Sequence, residues 1–191
     1  MIPENLKTLE TERLIIRETT EEDCAVFAEW ERDPAVTEFF TISADRSYGE
    51  ILSEVVSEKS DPSCLYYTIT YKPDCAPCGR IMISRVDRHY DSMDLTRIYI
   101  GDPALRDKGL GGEAIGRILG LAFSELGMER VTIDHFPANK RADHLYRKLG
   151  FVDEGIMRNS GKKDGRYVDL QLKSILREEY EKKYLSSSEV L

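Results

Sequence analysis

The stretch LRDKGLGGEAIG, residues 105–116, places two cations beside Gly109, Gly111 and Gly112, just where an apolar helical pattern begins. A glycine-rich turn that leads into a helix exposes several backbone N–H groups in one direction, and glycine permits the close approach of an anionic ligand. Arg106 and Lys108 add positive charge in a chain whose formal net charge is −8. The stretch therefore predicts a phosphate-binding loop, against the simpler interpretation that its glycines only pack against a neighbouring strand.

Two nucleotide-binding motifs can be compared with this loop. A P-loop requires a lysine and a serine or threonine after its glycines, and here the lysine precedes them. A dinucleotide-binding fingerprint fits better, because Gly109, Gly111 and Ala114 have its spacing and Asp134 follows about 20 residues later. In that fingerprint, however, the strand runs almost directly into the first glycine, whereas residues 101–108 intervene here. A dinucleotide-binding oxidoreductase remains an alternative.

Length and composition indicate one globular domain over residues 1–191, with a core of about 10–173 followed by a C-terminal helix and tail over 174–191. The sequence contains no apolar run of the roughly 18 residues that suggest a membrane-spanning helix, and its start lacks a signal-like apolar region. We therefore expect a cytoplasmic protein without a membrane partner. The acidic net charge argues against nucleic acid as a partner.

Hydrophobic periodicity predicts an α/β (α+β) fold in the order β-α-α-β-β-β-α-β-α-β-β-α. The expected architecture is one mixed, mostly antiparallel sheet of about seven strands flanked by helices. Thr20 is the predicted N-cap of the first helix, which Pro34 ends. A second helix over about 45–59 should bury one side, formed by Ile51, Leu52, Val55 and Val56.

The pair Cys75 and Cys78 has the CxxC spacing of some metal and redox sites. Prolines and a glycine surround the pair between two predicted strands, which favours an inert turn over a metal or redox site. We therefore predict no metal.

The spacing Arg106-x-x-Gly109-x-Gly111 is similar to the pyrophosphate-binding signature of the GNAT N-acetyltransferases, and it follows a strand and opens a helix as in that family. The resemblance covers nearly the whole chain, from ETERLIIRE to NKRADHLYRKLGF. DLQLKSILREEY resembles the C-terminal end of the ribosomal-protein-alanine N-acetyltransferase-like branch. The chain departs from the family's usual pattern at Asp107, an acid beside the expected phosphate, and at Gly112, which replaces a frequent helix-capping residue.

The resemblance implies acetyl-CoA as co-substrate. Its pantetheine arm would lie along the strand before the loop, and its pyrophosphate would lie on the loop. The cofactor-binding residues so implied are Ile98, Tyr99, Ile100, Arg106, Asp107, Lys108, Gly109, Leu110, Gly111, Gly112 and Asn139.

The resemblance also implies roles in catalysis. Tyr146 matches the family's tyrosine that protonates the departing thiolate, and topology places Asp94 and His135 as candidate general bases. Histidine ordinarily titrates near neutral pH, which suits that role. Residues in the segment expected to cover the acceptor are Trp30, Glu38 and Phe39.

The sequence thus predicts an acetyl-CoA-dependent N-acetyltransferase that acts by direct attack of a primary amine in a ternary complex. The acceptor would be a protein N-terminus or a small-molecule amine, and a homodimer is plausible by resemblance. A non-catalytic acyl-CoA-binding module is the alternative from another class.

Overall fold

The computed structural model describes residues 8–42 and 46–186. Its strands are β1 Thr8–Glu10, β2 Leu14–Glu18, β3 Leu65–Tyr71, β4 Ala76–Asp87, β5 Ser92–Ile100, β6 Arg130–His135, β7 Val152–Lys163 and β8 Arg166–Leu176. Its helices are α1 Asp23–Trp30, α2 Pro34–Thr37, α3 Tyr48–Lys59, α4 Leu110–Gly120, α5 Lys140–Leu149 and α6 Arg177–Tyr184. A π-helical turn, Leu121–Glu125, extends α4.

The strands form one sheet in the order β1-β2-β3-β4-β5-β6-β8-β7. Every neighbouring pair is antiparallel except β5 and β6, which are parallel. The predicted mixed, mostly antiparallel sheet flanked by helices is confirmed. In the described ranges it has eight strands rather than about seven, because β1 pairs with β2, and a short additional helix, α2, precedes α3. None of the described helices has the length and apolar character needed to cross a bilayer.

Two local predictions were wrong. Helix α1 begins at Asp23, and Thr20 does not cap it. Instead the backbone N–H of Thr20 donates to the Asp23 carboxylate at 2.8 Å. The same carboxylate also accepts hydrogen bonds from Arg17 and Thr68. On α3, Val56 is 48% exposed, since the buried stripe of that helix is narrower than its apolar pattern suggests.

Helices cover both faces of the sheet. On one face α4 buries its apolar stripe against the central strands, and α5 lies beside it. On the other face α1 and α3 pack over β3, β4 and β5. We call the first the α4 face and the second the α1 face.

The sheet opens between its two parallel strands. β5 and β6 pair only at Ser92/Arg130, Met93/Val131 and Asp94/Thr132, although β5 continues to Ile100 and β6 to His135. β5 also shifts register against β4 at this point, because Met82 pairs with Arg97 and Ile83 pairs with Leu95, which leaves Thr96 as a bulge. Residues 95–100 of β5 and 133–135 of β6 therefore border an opening, which we call the cleft.

Candidate active site

The glycine-rich loop follows β5 at the open end of the cleft and leads into α4. Gly109 is the N-cap of α4 with φ +78°, a left-handed conformation that glycine adopts without strain. The first N–H groups of a helix have no acceptor within the helix, so those of Leu110, Gly111 and Gly112 are available to a ligand. The helix dipole adds partial positive charge there. This geometry suits a phosphate group, as the sequence predicted.

Arg106 anchors this loop in the structure. Its Nη2 donates to the Gly101 carbonyl and to Asp33 Oδ2, each at 2.7 Å, and its Nε donates to the Ile100 carbonyl at 3.3 Å. Its guanidinium is thus bound to the end of β5 and to α2. Lys108, by contrast, has an exposed side chain.

Asp107, the acidic departure in the loop, has φ +62°, which is uncommon for a residue with a side chain. Its carboxylate lies 2.7 Å from Nη2 of Arg141 on α5, and both side chains are exposed. A neighbouring cation therefore offsets the negative charge that Asp107 brings to the loop.

Glu113 ties the first turn of α4 to the β1–β2 connection. Its carboxylate accepts hydrogen bonds from the Thr11 hydroxyl at 2.5 Å, from the Arg13 backbone N–H at 2.9 Å and from Arg13 Nε at 2.7 Å. Arg13 also donates to the Lys108 carbonyl at 3.0 Å. Sequence reasoning missed this anchor because about a hundred residues separate its members.

Tyr146 and His135 lie together on the α4 face. Their ring centroids are 5.7 Å apart, and both side chains are buried. Burial raises the pKa of Tyr146 above its usual value, with repulsion from Asp134 adding to the effect, so the hydroxyl remains a proton donor near neutral pH. His135 Nδ1 lies 2.9 Å from the Phe136 carbonyl, and its Nε2 lies 3.7 Å from Oδ1 of Asp143.

Asn139 is the N-cap residue of α5, about two helical turns before Tyr146. Its Oδ1 accepts the Ala142 N–H at 3.0 Å, which is an N-cap hydrogen bond. This contact leaves the side-chain NH₂ of Asn139 as the group that could reach a ligand.

Asp94 lies on the opposite face of the sheet from His135. Val131, Ile133 and His135 are buried, and successive β-strand side chains alternate between faces, so Thr132 points to the α1 face. The Thr132 hydroxyl donates to Asp94, and Arg85 forms an ion pair with the same carboxylate. The structure therefore brings His135 and Tyr146 together and leaves Asp94 on the other side of the sheet.

The last residue of α2 and the segment after it lie across the cleft, and we call residues 37–42 the lid. Phe40 contacts Tyr99 of β5 with ring centroids 5.8 Å apart, and Phe39 contacts Phe136 beyond β6 at 6.3 Å. The lid thus joins the two strands that border the cleft. Lys163 fixes it from the β7–β8 hairpin by donating to the carbonyls of residues 37 and 40 at 2.7 and 3.0 Å.

The other predicted acceptor residues differ in exposure. Glu38 is exposed on the lid, and Phe39 is half-buried. Trp30 is 8% exposed and lies under Gly101, where an added Cβ would be 2.0 Å from the indole. Trp30 therefore supports the turn from β5 into the loop, and only a small part of it can meet an acceptor.

A buried network of charges lies beneath α1 and α3 on the α1 face. Arg80, fully buried, donates to Glu31 at 2.9 Å and to Glu54 at 2.7 Å, and the Tyr99 hydroxyl donates to Glu31 at 3.0 Å. Arg46 and Arg97 bind the same two carboxylates. Sequence analysis missed this network, since its members alternate with apolar residues in otherwise ordinary strands and helices.

The cysteines are all free thiols. Cys75 is exposed in the β3–β4 turn, whereas Cys78 is buried, and burial raises the pKa of its thiol to about 12. Within residues 8–42 and 46–186, no group of three or more histidine, cysteine, aspartate and glutamate side chains could hold a metal ion.

A cleft between two parallel strands, with the N-terminus of α4 beside it, has the shape and polarity to hold an extended ligand that carries an anionic group. The model of the acetyltransferase (GNAT) domain family matches residues 13–152. The chain belongs to this family, and the protein is an acetyltransferase.

Individual relatives agree with this assignment. The chain is 28% identical over 182 residues to the uncharacterized N-acetyltransferase p20 of Bacillus licheniformis, covering 92% of this chain and 99% of p20. It is 33% identical over 87 residues to a spermidine N(1)-acetyltransferase of Vibrio cholerae, covering 46% and 48% of the two chains. The fold matches the crystal structure of spermidine N-acetyltransferase from V. cholerae in complex with CoA and spermine, with a TM-score of 0.80, 20% identity, and 89% and 99% coverage.

Proposed function

We propose that the protein uses acetyl-CoA as the acetyl donor and transfers the acetyl group to a primary amine by direct attack in a ternary complex. The observation that carries the proposal is the free helix N-terminus at Leu110–Gly112, beside a cleft that separates β5 from β6. The helix N-terminus suits the phosphate groups of such a cofactor, and the cleft suits its extended arm. The CoA complex of the V. cholerae neighbour supports this reading.

In this proposal the pyrophosphate binds the N–H groups of the loop from Asp107 to Gly112, with the exposed Lys108 as a mobile cation. The pantetheine arm lies along Ile98, Tyr99 and Ile100, since β6 does not pair with that edge of β5. Arg106 holds the loop against the end of β5. The side-chain NH₂ of Asn139 contacts the pantetheine arm.

The chemistry requires a proton to reach the departing thiolate and protons to leave the amine. We assign the first role to Tyr146, with His135 as its neighbour on the α4 face. Asp94, on the α1 face, would attract the incoming ammonium group. Backbone N–H groups beside the Thr96 bulge are suited to polarise the thioester carbonyl.

The acceptor amine enters from the α1 face, under the lid, where it contacts Glu38 and Phe39. It also contacts the small exposed part of Trp30. A protein N-terminus, as in the ribosomal-protein branch, and a small-molecule amine such as a polyamine are both candidate acceptors. The V. cholerae relatives named for spermidine favour testing polyamines first. A cytoplasmic location agrees with the four free cysteines. The single domain and the homodimer remain predictions.

Isothermal titration with acetyl-CoA tests the proposal. We expect Gly111→Asp to abolish binding, because it places a carboxylate at the phosphate site. Gly116→Asp is the matched control, since Gly116 lies further along α4 with no atom within 4 Å of an added Cβ. Undisturbed binding in Gly111→Asp would refute the site.

Two further measurements separate the alternatives. An acetyl-CoA complex that releases no CoA with any amine of a broad panel would identify a non-catalytic binding module. Preferential binding of NADH over acetyl-CoA would identify the dinucleotide-binding alternative.

A further inference from the structure

Asp134 lies at the point where the parallel strands separate. The last residue of β6 that pairs with β5 is Thr132, opposite Asp94. Strand alternation gives Asp134 the same face as Thr132, so it is the next residue of β6 on the α1 face, bordering the cleft. The thioester would lie in this cleft if the proposed function is right, and the present inference rests on that function.

The two aspartates at the cleft differ in their partners. Asp94 accepts a hydrogen bond from Thr132 and forms an ion pair with Arg85. In the described part of the chain, Asp134 has neither a hydrogen-bond partner nor an ion-pair partner, and its side chain is exposed. Both oxygens of Asp134 are therefore free to receive a proton, whereas those of Asp94 are already engaged.

The lid contacts the chain just beyond the strand end that carries Asp134. The lid residue Phe39 contacts Phe136, two residues further along the chain. Desolvation raises the pKa of Asp134 and repulsion from Asp94 raises it further, whereas Arg85 and His135 act in the opposite direction and only partly offset the rise. A carboxyl group with a raised pKa is a better proton acceptor than an ordinary surface aspartate.

We propose that Asp134 is the proton acceptor for the acceptor amine, with Asp94 only attracting the ammonium group. The Asp134 carboxylate takes one proton from the ammonium, and the freed nitrogen lone pair attacks the thioester carbon. The N–C bond forms and the C–S bond breaks with both its electrons on sulfur. Tyr146 gives its proton to that thiolate and recovers the second proton of the attacking nitrogen through water. The proton on Asp134 then leaves to solvent.

The pH dependence of turnover tests this assignment. Wild type should keep a flat kcat between the titration of Asp134 and that of the amine. Asp134→Asn removes the proton acceptor, so only the unprotonated fraction of the amine reacts. We expect its kcat to fall by about 1,000-fold at pH 7, because about that fraction of an amine with a pKa near 10 is unprotonated there, and to rise about tenfold per pH unit toward that pKa.

Three variants serve as controls. Asp134→Glu should restore part of the kcat at pH 7, because it keeps a carboxylate. Asp164→Asn, at an exposed turn with φ +49°, should match wild type. Asp94→Asn should raise the KM for the amine without introducing the steep pH dependence.

The outcomes separate this inference from the proposed function. A wild-type chain that binds no acetyl-CoA, or acetylates no amine, overturns both. A wild type that acetylates amines, with an Asp134→Asn variant that stays within about threefold of its kcat at pH 7 and keeps the flat profile, overturns the assignment of Asp134 alone.

Discussion

Nη2 of Arg106 lies 2.7 Å from Oδ2 of Asp33, and this contact joins the glycine-rich loop to the N-cap of α2, the helix that leads into the lid. The other oxygen of Asp33 accepts the Ala35 N–H at 2.9 Å and caps α2. One carboxylate therefore links the two segments that would face the donor and the acceptor.

This linkage predicts unequal effects of removing its two partners. Arg106→Ala should raise the Kd for acetyl-CoA more than tenfold, or about 1.4 kcal/mol, because the loop loses its bonds to Ile100 and Gly101. Asp33→Asn should leave the Kd within about twofold, because an asparagine still caps α2. Isothermal titration measures both values. Equal losses in the two variants would show that the ion pair itself, rather than the carbonyl contacts, orders the loop.

Gly101 should not tolerate a side chain. An added Cβ would lie 2.0 to 2.4 Å from indole atoms of Trp30, so Gly101→Ala should lower the free energy of unfolding by about 1–3 kcal/mol or more and weaken acetyl-CoA binding. Gly116→Ala, in open space on α4, should be neutral or stabilising by up to about 1 kcal/mol. Urea denaturation compares the two, and similar stabilities would contradict the predicted contact.

The buried charge network should be sensitive to losing one carboxylate. Glu31 is fully buried among Arg46, Arg80 and the Tyr99 hydroxyl. Glu31→Gln should cost about 3–5 kcal/mol of stability, because it leaves buried guanidinium groups uncompensated. Glu29→Gln, at an exposed position of α1 two residues before Glu31, is the control for urea denaturation. A Glu31→Gln loss below about 1 kcal/mol would mean that the arginines are solvated.

Acid should weaken the attachment of α5 to the sheet. The hydrogen bond from the buried Lys173 lowers the pKa of Asp143 to about 2, and Nζ lies 2.7 Å from its Oδ1. Because the pKa is lowered in the folded state, this stabilisation is complete above about pH 4 and is lost as the pH falls from about 4 to about 2. Asp143→Asn should therefore differ from wild type in urea midpoint at pH 6 but much less at pH 2.5. A difference independent of pH would contradict this account.

Tyr146 should affect turnover more than cofactor binding. We expect Tyr146→Phe to lower kcat about 100-fold, because the hydroxyl no longer protonates the thiolate, and to leave the Kd for acetyl-CoA nearly unchanged. Tyr180→Phe, another buried tyrosine, stacked on Phe123 at 4.8 Å, is the matched control. Equal kcat values in the two variants would remove Tyr146 from the mechanism.

Local sequence predicted the elements of this fold well. The two strands on either side of the Cys75–Cys78 turn and the helix that the glycine-rich loop opens lie where the sequence predicts them. Sequence missed β1 and α2, because three- and four-residue elements have too few positions to show a period. It also misplaced the start of α1, because Thr20 donates its backbone N–H to the Asp23 carboxylate and its side chain does not cap the helix.

The sequence by itself determined the glycine loop, the helix that follows it and the resemblance that identifies the family, because these depend on neighbours within a few residues. Only the tertiary structure decided that Arg106 binds Asp33, that Glu113 binds Arg13, and that Asp94 and His135 lie on opposite faces. Those relationships depend on the register of β5 and β6 and on where their pairing ends. Strand register brings together residues that are distant in the chain, and moving it by one position would exchange the two faces.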